Sequence, residues 1–507
     1  MKRFFINGYV VRNNSKLKNK AFTLIELLAI IVILAIIAVI TVPIILNIIE
    51  NSRMGAAADS AYGYKDAINK HYISKLFDNS NLELDGEYTV VDGVINGSGI
   101  DHEEIPVSGK KPTSGILTYE NNVLKNGCLV IDDYAVTIVN ENVVNTIKGV
   151  CDGIVIDDVE YAAQTILNKG YYVEIIDQND SNYSNDNNLA RLSANEKKLI
   201  TDPVRIEHPA VTENTATGST IPALTSYRYM GANPNNWIYF NCEDYSEDKQ
   251  SNSTCELWRI ISIENGKLKI ITDSPIGSSK WYKGYNNYYT NITHVNDWAT
   301  SDLNEFLNVK YLDSSIVIDS DFDSFSFSSD GTTGKLHTFL NSSTSALIDN
   351  STWFLGGGDF FNSTASQIYA MERSNVKYTG DNITRATSVN SKVALISSSD
   401  YGFASSICHV ESTLNGSKNL SNYNDESCTS SNWMFTSLPS WFLNPFPYES
   451  NYALALGSDG SLTCGQYGYD CNVVMTNNIR PSLYLKSNIK ISGTGTNSNP
   501  YKIILDN

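Results

Sequence analysis

Twenty consecutive residues near the amino terminus constrain this chain more than anything else in it: Leu27 to Leu46 reads LLAIIVILAIIAVITVPIIL, interrupted only by Thr41 and Pro43. As a helix rising about 1.5 Å per residue, the run reaches roughly 30 Å, the thickness of a bilayer's hydrocarbon core. Lys2, Arg3, Arg12, Lys16, Lys18 and Lys20 all precede it, with no acid among the first 21 residues. The formal net charge is −18, so these six bases leave −24 for the rest of the chain. Positive-inside bias then predicts a cytoplasmic leader, one N-terminal pass through the cytoplasmic membrane and a C-terminus outside. So acidic a chain repels phosphate, which excludes nucleic acid as a partner.

Eight cysteines stand at Cys128, Cys151, Cys242, Cys255, Cys408, Cys428, Cys464 and Cys471, with no Cys-x-x-Cys pair. An even number without that spacing points to disulfides rather than zinc, and hence to a compartment outside the reducing cytosol. Pairing of neighbours is the simplest connectivity: 128 with 151, 242 with 255, 408 with 428, and 464 with 471. Other pairings, and eight free thiols, remain open from sequence.

A secretory signal places its small-residue cleavage site after the apolar region, whereas here the small-polar junction comes before it, at Lys20-Ala21-Phe22-Thr23. The stretch Lys20-Ala21-Phe22-Thr23-Leu24-Ile25-Glu26-Leu27-Leu28 resembles the cleavage and methylation motif of type IV prepilins and of the pseudopilins of secretion and competence systems. The resemblance implies that a membrane peptidase cuts between Ala21 and Phe22 and methylates the new Phe22 amine. Ala21 departs from the glycine usual in that family before the cut. Glu26 takes the place of the family's acidic fifth residue. A carboxylate beside an unbroken aliphatic run is costly without a cationic partner, and the Phe22 amine of a neighbouring subunit supplies one. The plainer alternative is an interfacial acid favoured by the helix dipole. Pro43 removes one backbone hydrogen bond and kinks or locally melts the helix, which the resemblance associates with packing into a fibre.

Beyond the apolar run, residues 47–76 keep a helical pattern, with Ala57, Ala61, Ile68 and Tyr72 suited to packing one face on a sheet. Short strand-like runs follow at 87–91, 115–119, 128–131 and 134–139, separated by turn signals. The expected organisation is a leader over 1–21, a pilin-type helix with a transmembrane half over 22–78 and a pilin-like head over 79–176. Cys128 and Cys151 would clamp the last strands of that head, and a short helix near 161–169 would close it. An Asn-, Asp-, Ser- and Thr-rich linker is expected over 177–226, and a separate domain over 227–507. All seven tryptophans and six of the eight cysteines fall after residue 230, as a second core would require.

The predicted fold class is therefore α+β: a long N-terminal transmembrane helix packed on an antiparallel pilin-like sheet, then a β-rich α+β C-terminal domain. Within that domain the segments at 227–236, 257–261 and 479–485, the last containing Arg480-Pro481, resemble a domain recurrent in surface proteins of Gram-positive bacteria. Its layout is similar to C-type-lectin-like folds, an analogy of fold alone.

The six histidines are scattered, and neither a His-Glu-x-x-His nor a Gly-x-Ser-x-Gly motif nor a phosphate-cradling loop occurs. Acid pairs such as Asp321 and Asp323 read as solvated turns. We therefore expect no enzyme, no cofactor and no metal. Trp441 and Phe442, in an Asn- and Ser-rich surrounding, form the candidate patch for stacking on a glycan, against the simpler alternative that they build the core. The functional expectation is a minor pilin or pseudopilin that forms filaments and displays a large extracellular domain for adhesion or partner recognition. Its partners would be a prepilin peptidase, other pilin or pseudopilin subunits, the cytoplasmic membrane and a glycan or protein receptor. Its location would be the membrane before assembly and the cell surface or pilus after it. The rivals are a membrane-anchored surface hydrolase and a surface protein that never polymerises.

Overall fold

The computed structural model describes residues 52–76 and most of 83–505; outside the description lie 1–51, 77–82, 152–160, 213–219, 283–295, 375–384, 411–417, 464–470 and shorter stretches. Residues 52–76 form one helix, α1. Its buried stripe is Ala57, Ala61, Tyr64 and Ile68, spaced by three or four residues as one helical face demands.

That stripe packs on seven strands: β1 (Gly86–Val91), β2 (Val94–Asn96), β3 (Glu103–Glu104), β4 (Ser114–Glu120), β5 (Val123–Ile131), β6 (Tyr134–Val139) and β7 (Asn142–Lys148). Their order is β3-β2-β1-β4-β5-β6-β7, with every neighbouring pair antiparallel. Alternation in β1 buries Tyr88 and Val90 and leaves Val91 outside. Asn121 and Asn122 both have positive φ, 53° and 62°, which is the twist that a two-residue turn between β4 and β5 requires.

A larger eight-stranded sheet forms the centre of the remaining chain. Its middle strands, Glu256–Glu264 and Lys267–Thr272, are joined through Asn265-Gly266, both at positive φ. Leu268 and Ile270 enter one core and Ile271 the other, so both faces are covered and the strand reads as a continuous apolar run. Five further strands, Gly277–Ser279, Ser440–Pro445, Ala453–Leu456, Leu462–Thr463 and Asn477–Ile479, make a second sheet.

Among the described residues three disulfides have both partners in place: Cys128 to Cys151, Cys242 to Cys255, and Cys408 to Cys428. Cys471 is also disulfide-bonded, while Cys464 lies outside the described residues.

The structure differs from expectation in several places. Among the described residues no helix is long and apolar enough to cross a membrane, so the predicted transmembrane helix is not part of the observed fold. The α1 helix carries Arg53, Asp59, Lys65, Asp66 and Lys70, which disqualifies it; the apolar run 27–46 lies outside the described residues. The seven-stranded sheet is open-ended, with β3 and β7 at its edges, and closes into no pilin-like barrel. What stands is an α+β fold with several sheets.

The stretch expected as a linker contains ordered elements. Val204–His208 pairs antiparallel with Leu224–Arg228 inside the large sheet. Ser193 and Glu196 form a reciprocal capping box on the short helix Ala194–Lys198. Helix α2 (Ala162–Leu167), expected to close the N-terminal head, instead buries Ala162, Ala163 and Ile166 in the core that contains Trp258 and Leu268.

Candidate functional site

Ala21, Phe22, Glu26 and Pro43, the residues singled out for processing and assembly, all lie outside the described residues. What the structure shows is how the helix that follows them is held. Tyr64 donates its hydroxyl hydrogen to the Gly93 carbonyl at 3.1 Å, fixing α1 to the β1–β2 turn. On the other side Tyr62 accepts from the Val143 amide of β7 at 3.0 Å. Near the end of α1, Tyr72 donates to Asn122 at 3.0 Å, while His71 and Lys75 meet Glu103 of β3 at 2.5 and 2.8 Å. The hydrogen bond from Lys75 is the main cause that holds the Glu103 carboxyl below its ordinary range. These contacts anchor α1 at both edges of the sheet.

In the large module the expected aromatic patch does not exist as a surface. Trp441 and Phe442 are each 1% exposed. Trp441 packs edge-on against Trp281 and donates its indole N–H to the Ser279 carbonyl at 2.9 Å, and Phe442 lies against Tyr401. With their faces covered, neither can stack on a glycan, and the expected ligand patch is corrected to core. The strand Ser440–Pro445 is buried on both faces, Ser440 and Asn444 included. The surface recess of the module lies elsewhere: an open depression of about 460 Å³ lined by Asn233, Pro234, Asn235, Trp237, Thr496 and Ser498, among others. Behind it the Arg259 guanidinium sits 3.8 Å from the Trp237 ring centre and 4.8 Å from that of Trp433.

Charge inside the large module is concentrated in one network. Arg228 bridges Glu264 and Asp400, both at 2.9 Å, and Lys269 meets the other oxygen of Asp400 at 2.7 Å. Ser262 and Tyr484 donate to Glu264 at 2.8 and 3.1 Å. Burial alone would raise the Asp400 carboxyl, but Lys269 and Arg228 outweigh it and hold it at about 2. Beside this network Glu372 accepts from the Ser399 hydroxyl and amide at 2.6 and 3.1 Å, and burial pushes its carboxyl up to about 7. Burial, helped by the positive charges of Arg228 and Arg373, drives the His208 imidazole down to about 2. Two cations balance two carboxylates with their oxygens occupied, an arrangement that fixes strands and helices relative to one another.

Arg480, on the segment that sequence reading singled out, is fully buried and donates to the carbonyls of Thr272, Asp273 and Met434 at 2.9–3.2 Å. Its role is to tie loops together. Among the described residues no group of three or more His, Cys, Asp or Glu side chains could hold a metal ion.

Several functional expectations required a membrane-spanning helix: a filament subunit anchored in the membrane with an extracellular binding domain, either membrane-anchored rival, and a single-pass location. Among the described residues no helix is long and apolar enough to supply that span, and these readings are set aside. No curated protein and no solved structure matches the chain. Residues 16–42 match the family model described as the prokaryotic N-terminal methylation motif, so the amino terminus of this chain carries a prepilin-like methylation motif.

Proposed function

We propose that this chain is processed by a prepilin peptidase and associates with other pilin-like subunits through the newly exposed N-terminus. The observation that carries the reading is the match over residues 16–42, which contains the whole junction Lys20 to Leu28. Cleavage between Ala21 and Phe22 removes the six basic residues of the leader and leaves Phe22 as the methylated first residue. Glu26 then lies four residues from a cationic amine. A carboxylate flanked by Ile25 and Leu27 is expensive to bury alone, so pairing it with the Phe22 amine of an adjacent subunit sets the register between the two.

The test is the mature N-terminus, read by mass spectrometry after co-expression with a prepilin peptidase. A chain beginning at N-methylated Phe22 supports the reading; an intact leader, while a control prepilin is cut in the same cells, overturns it. Glu26→Ala should leave cleavage unchanged and abolish co-purification with a pilin-like subunit.

A further inference from the structure

We infer that Ser274, His337 and Glu256 form an acyl-transfer centre, with Ser274 as nucleophile, His337 as general base and Glu256 as the group that positions His337. His337 Nδ1 lies 3.0 Å from Glu256 Oε2, and His337 Nε2 lies 3.3 Å from Ser274 Oγ. The three residues come from separate segments. Glu256 opens the strand Glu256–Glu264, Ser274 follows the strand Lys267–Thr272, and His337 sits on a short turn closed by the Ser329–Leu336 bridge. That turn is held in place because the Ser328 amide donates to Ile276 and the His337 amide donates back to Ser328.

Hydrogen-bond accounting decides which nitrogen carries the proton. Glu256 Oε1 accepts from the Thr338 amide at 2.9 Å and from Asn241 at 2.8 Å, and Oε2 accepts from the Trp258 indole at 3.3 Å. A carboxylate ringed by donors acts as acceptor toward His337 as well, so Nδ1 holds the imidazole hydrogen. Nε2 is then a lone pair facing Ser274, and the serine hydroxyl donates to it. The Gly331 amide donates to Ser274 Oγ at 3.1 Å, which leaves the hydroxyl hydrogen free to point at His337. Nucleophile, base and orienting acid thus stand in the order that activates a serine.

Exposure grades the three as function requires. Glu256 is 1% and His337 0% exposed, whereas Ser274 is only partly buried and lies beside the exposed Gly331 and Thr332. Substrate therefore meets Ser274 first. Asp273 and Asp330 flank the site, and Asp330 Oδ2 is buried with no hydrogen-bond partner among the described residues. Asp273 is balanced by Arg259 at 3.6 Å, so the charge that disfavours an anionic acyl group is that of Asp330, and Leu336, 54% exposed beside His337, offers an apolar contact. The substrate class is a short, uncharged acyl ester.

In the first half-reaction Ser274 Oγ bonds to the ester carbonyl carbon as its proton passes to His337 Nε2, and the carbonyl electron pair moves onto oxygen. When that pair returns, the carbon–oxygen bond to the alcohol breaks and the alcohol leaves with the proton from His337. Water, deprotonated by His337, then attacks the acyl-Ser274 carbon, releasing the carboxylic acid and restoring the serine. The proposal departs from the expectation of no catalysis, which rested on the absence of local motifs; residues 256, 274 and 337 share no spacing that sequence inspection could flag.

The full chain, native and heat-denatured, is treated with a fluorophosphonate probe, mapped by peptide mass spectrometry and assayed for hydrolysis of p-nitrophenyl acetate. The native protein should be labelled at Ser274 and the denatured protein should not. Ser274→Ala should retain the wild-type melting transition while losing the label and at least about 100-fold of the hydrolysis rate, because no nucleophile is left to form the acyl intermediate. His337→Gln, folded by circular dichroism, should label correspondingly more slowly. A native chain that takes no label at Ser274, a Ser274→Ala variant with undiminished hydrolysis, or a His337→Gln variant labelled at the wild-type rate would each overturn the assignment. None of these readouts depends on whether the leader is cut.

Discussion

The helix–sheet head and the larger C-terminal module bury different chemistry. In the head, the core beneath α1 is aliphatic and tyrosine, and the charged residues of α1 and its strands stay at or near the surface. In the larger module Arg228, Arg259, Arg480, Lys269, Asp400, Glu256, Glu264 and Glu372 are all buried. A core of the first kind is specified by periodicity and tolerates local change. One of the second kind depends on partners brought from far along the chain: Arg228 and Asp400 are separated by 172 positions. A buried ion whose partner is removed has no water to replace it.

The largest expected effect therefore comes from breaking a buried pair. Asp400→Ala leaves Lys269 without a carboxylate in a dry interior, leaves Arg228 with Glu264 alone, and deprives the Ser397 amide of its acceptor. We expect a loss of about 3–5 kcal/mol, the usual cost of leaving a buried charge unpaired. Urea unfolding followed by tryptophan fluorescence reports this module alone, because every tryptophan lies in it. A loss below about 1 kcal/mol, the scale of an exposed pair, would erase the contrast between the two regions.

In the head the corresponding variant is Ile68→Ala, at a fully buried position of α1. Loss of transfer free energy plus a residual cavity predicts a cost of about 2–4 kcal/mol. Because the head has no tryptophan, the measurement is hydrogen exchange of β4 and β5 amides. Protection should fall there and stay unchanged in the strand Glu256–Glu264. Equal loss in both would mean that the two regions unfold as one unit.

How much of this was legible follows from the same contrast. The stripe of α1 and the strand β1 could be read because one buried face repeats at helical or strand period, and β5 and β6 because they are short apolar runs bounded by turn signals. The strands Leu224–Arg228 and Val204–His208 could not, because Asn- and Thr-rich flanks surround short segments held by their neighbours in the sheet: Leu224–Arg228 pairs with Glu256–Glu264, and Val204–His208 pairs with Leu224–Arg228. Helix α2 was visible as a helix, but its partner was not, since nothing local says that Ala162 and Ile166 face Leu268 and Trp258 rather than the preceding sheet. For Trp441 and Phe442 the sequence left a surface patch and a core position as alternatives, and the core holds because the strand that carries them is covered on both sides. The tryptophans lie in cores distinct from the one beneath α1, and which side chains line those cores depends on pairings dozens to hundreds of residues apart.

The smallest and most selective effect is one of pH. Glu372 lies beside the ionic network but lacks a cation as close as those serving Asp400: the nearest Arg373 nitrogen is 3.6 Å away, and Ser399 supplies neutral donors. Its carboxyl is raised from 4.5 to about 7, so the folded state binds a proton more tightly than the unfolded chain does. Stability from this group is fully present below pH 4.5 and declines as pH rises toward about 7, with a total on the order of 3 kcal/mol. Asp400 has the opposite sign: its carboxyl is held at about 2 against an ordinary 3.8, so its contribution is complete above pH 3.8 and is lost as pH falls through about 2. The windows do not overlap. Glu372→Gln keeps the size and hydrogen-bonding capacity of the protonated acid, so it should stabilise the larger module at pH 7.5 by about 2 kcal/mol and leave it nearly unchanged at pH 4.5. Urea midpoints of wild type and variant, measured across that range, should converge on the acid side and separate on the neutral side. Parallel curves would show that Glu372 keeps the same charge in the folded and unfolded chain, and that the buried charge of this module is balanced at Glu372 as fully as it is at Asp400.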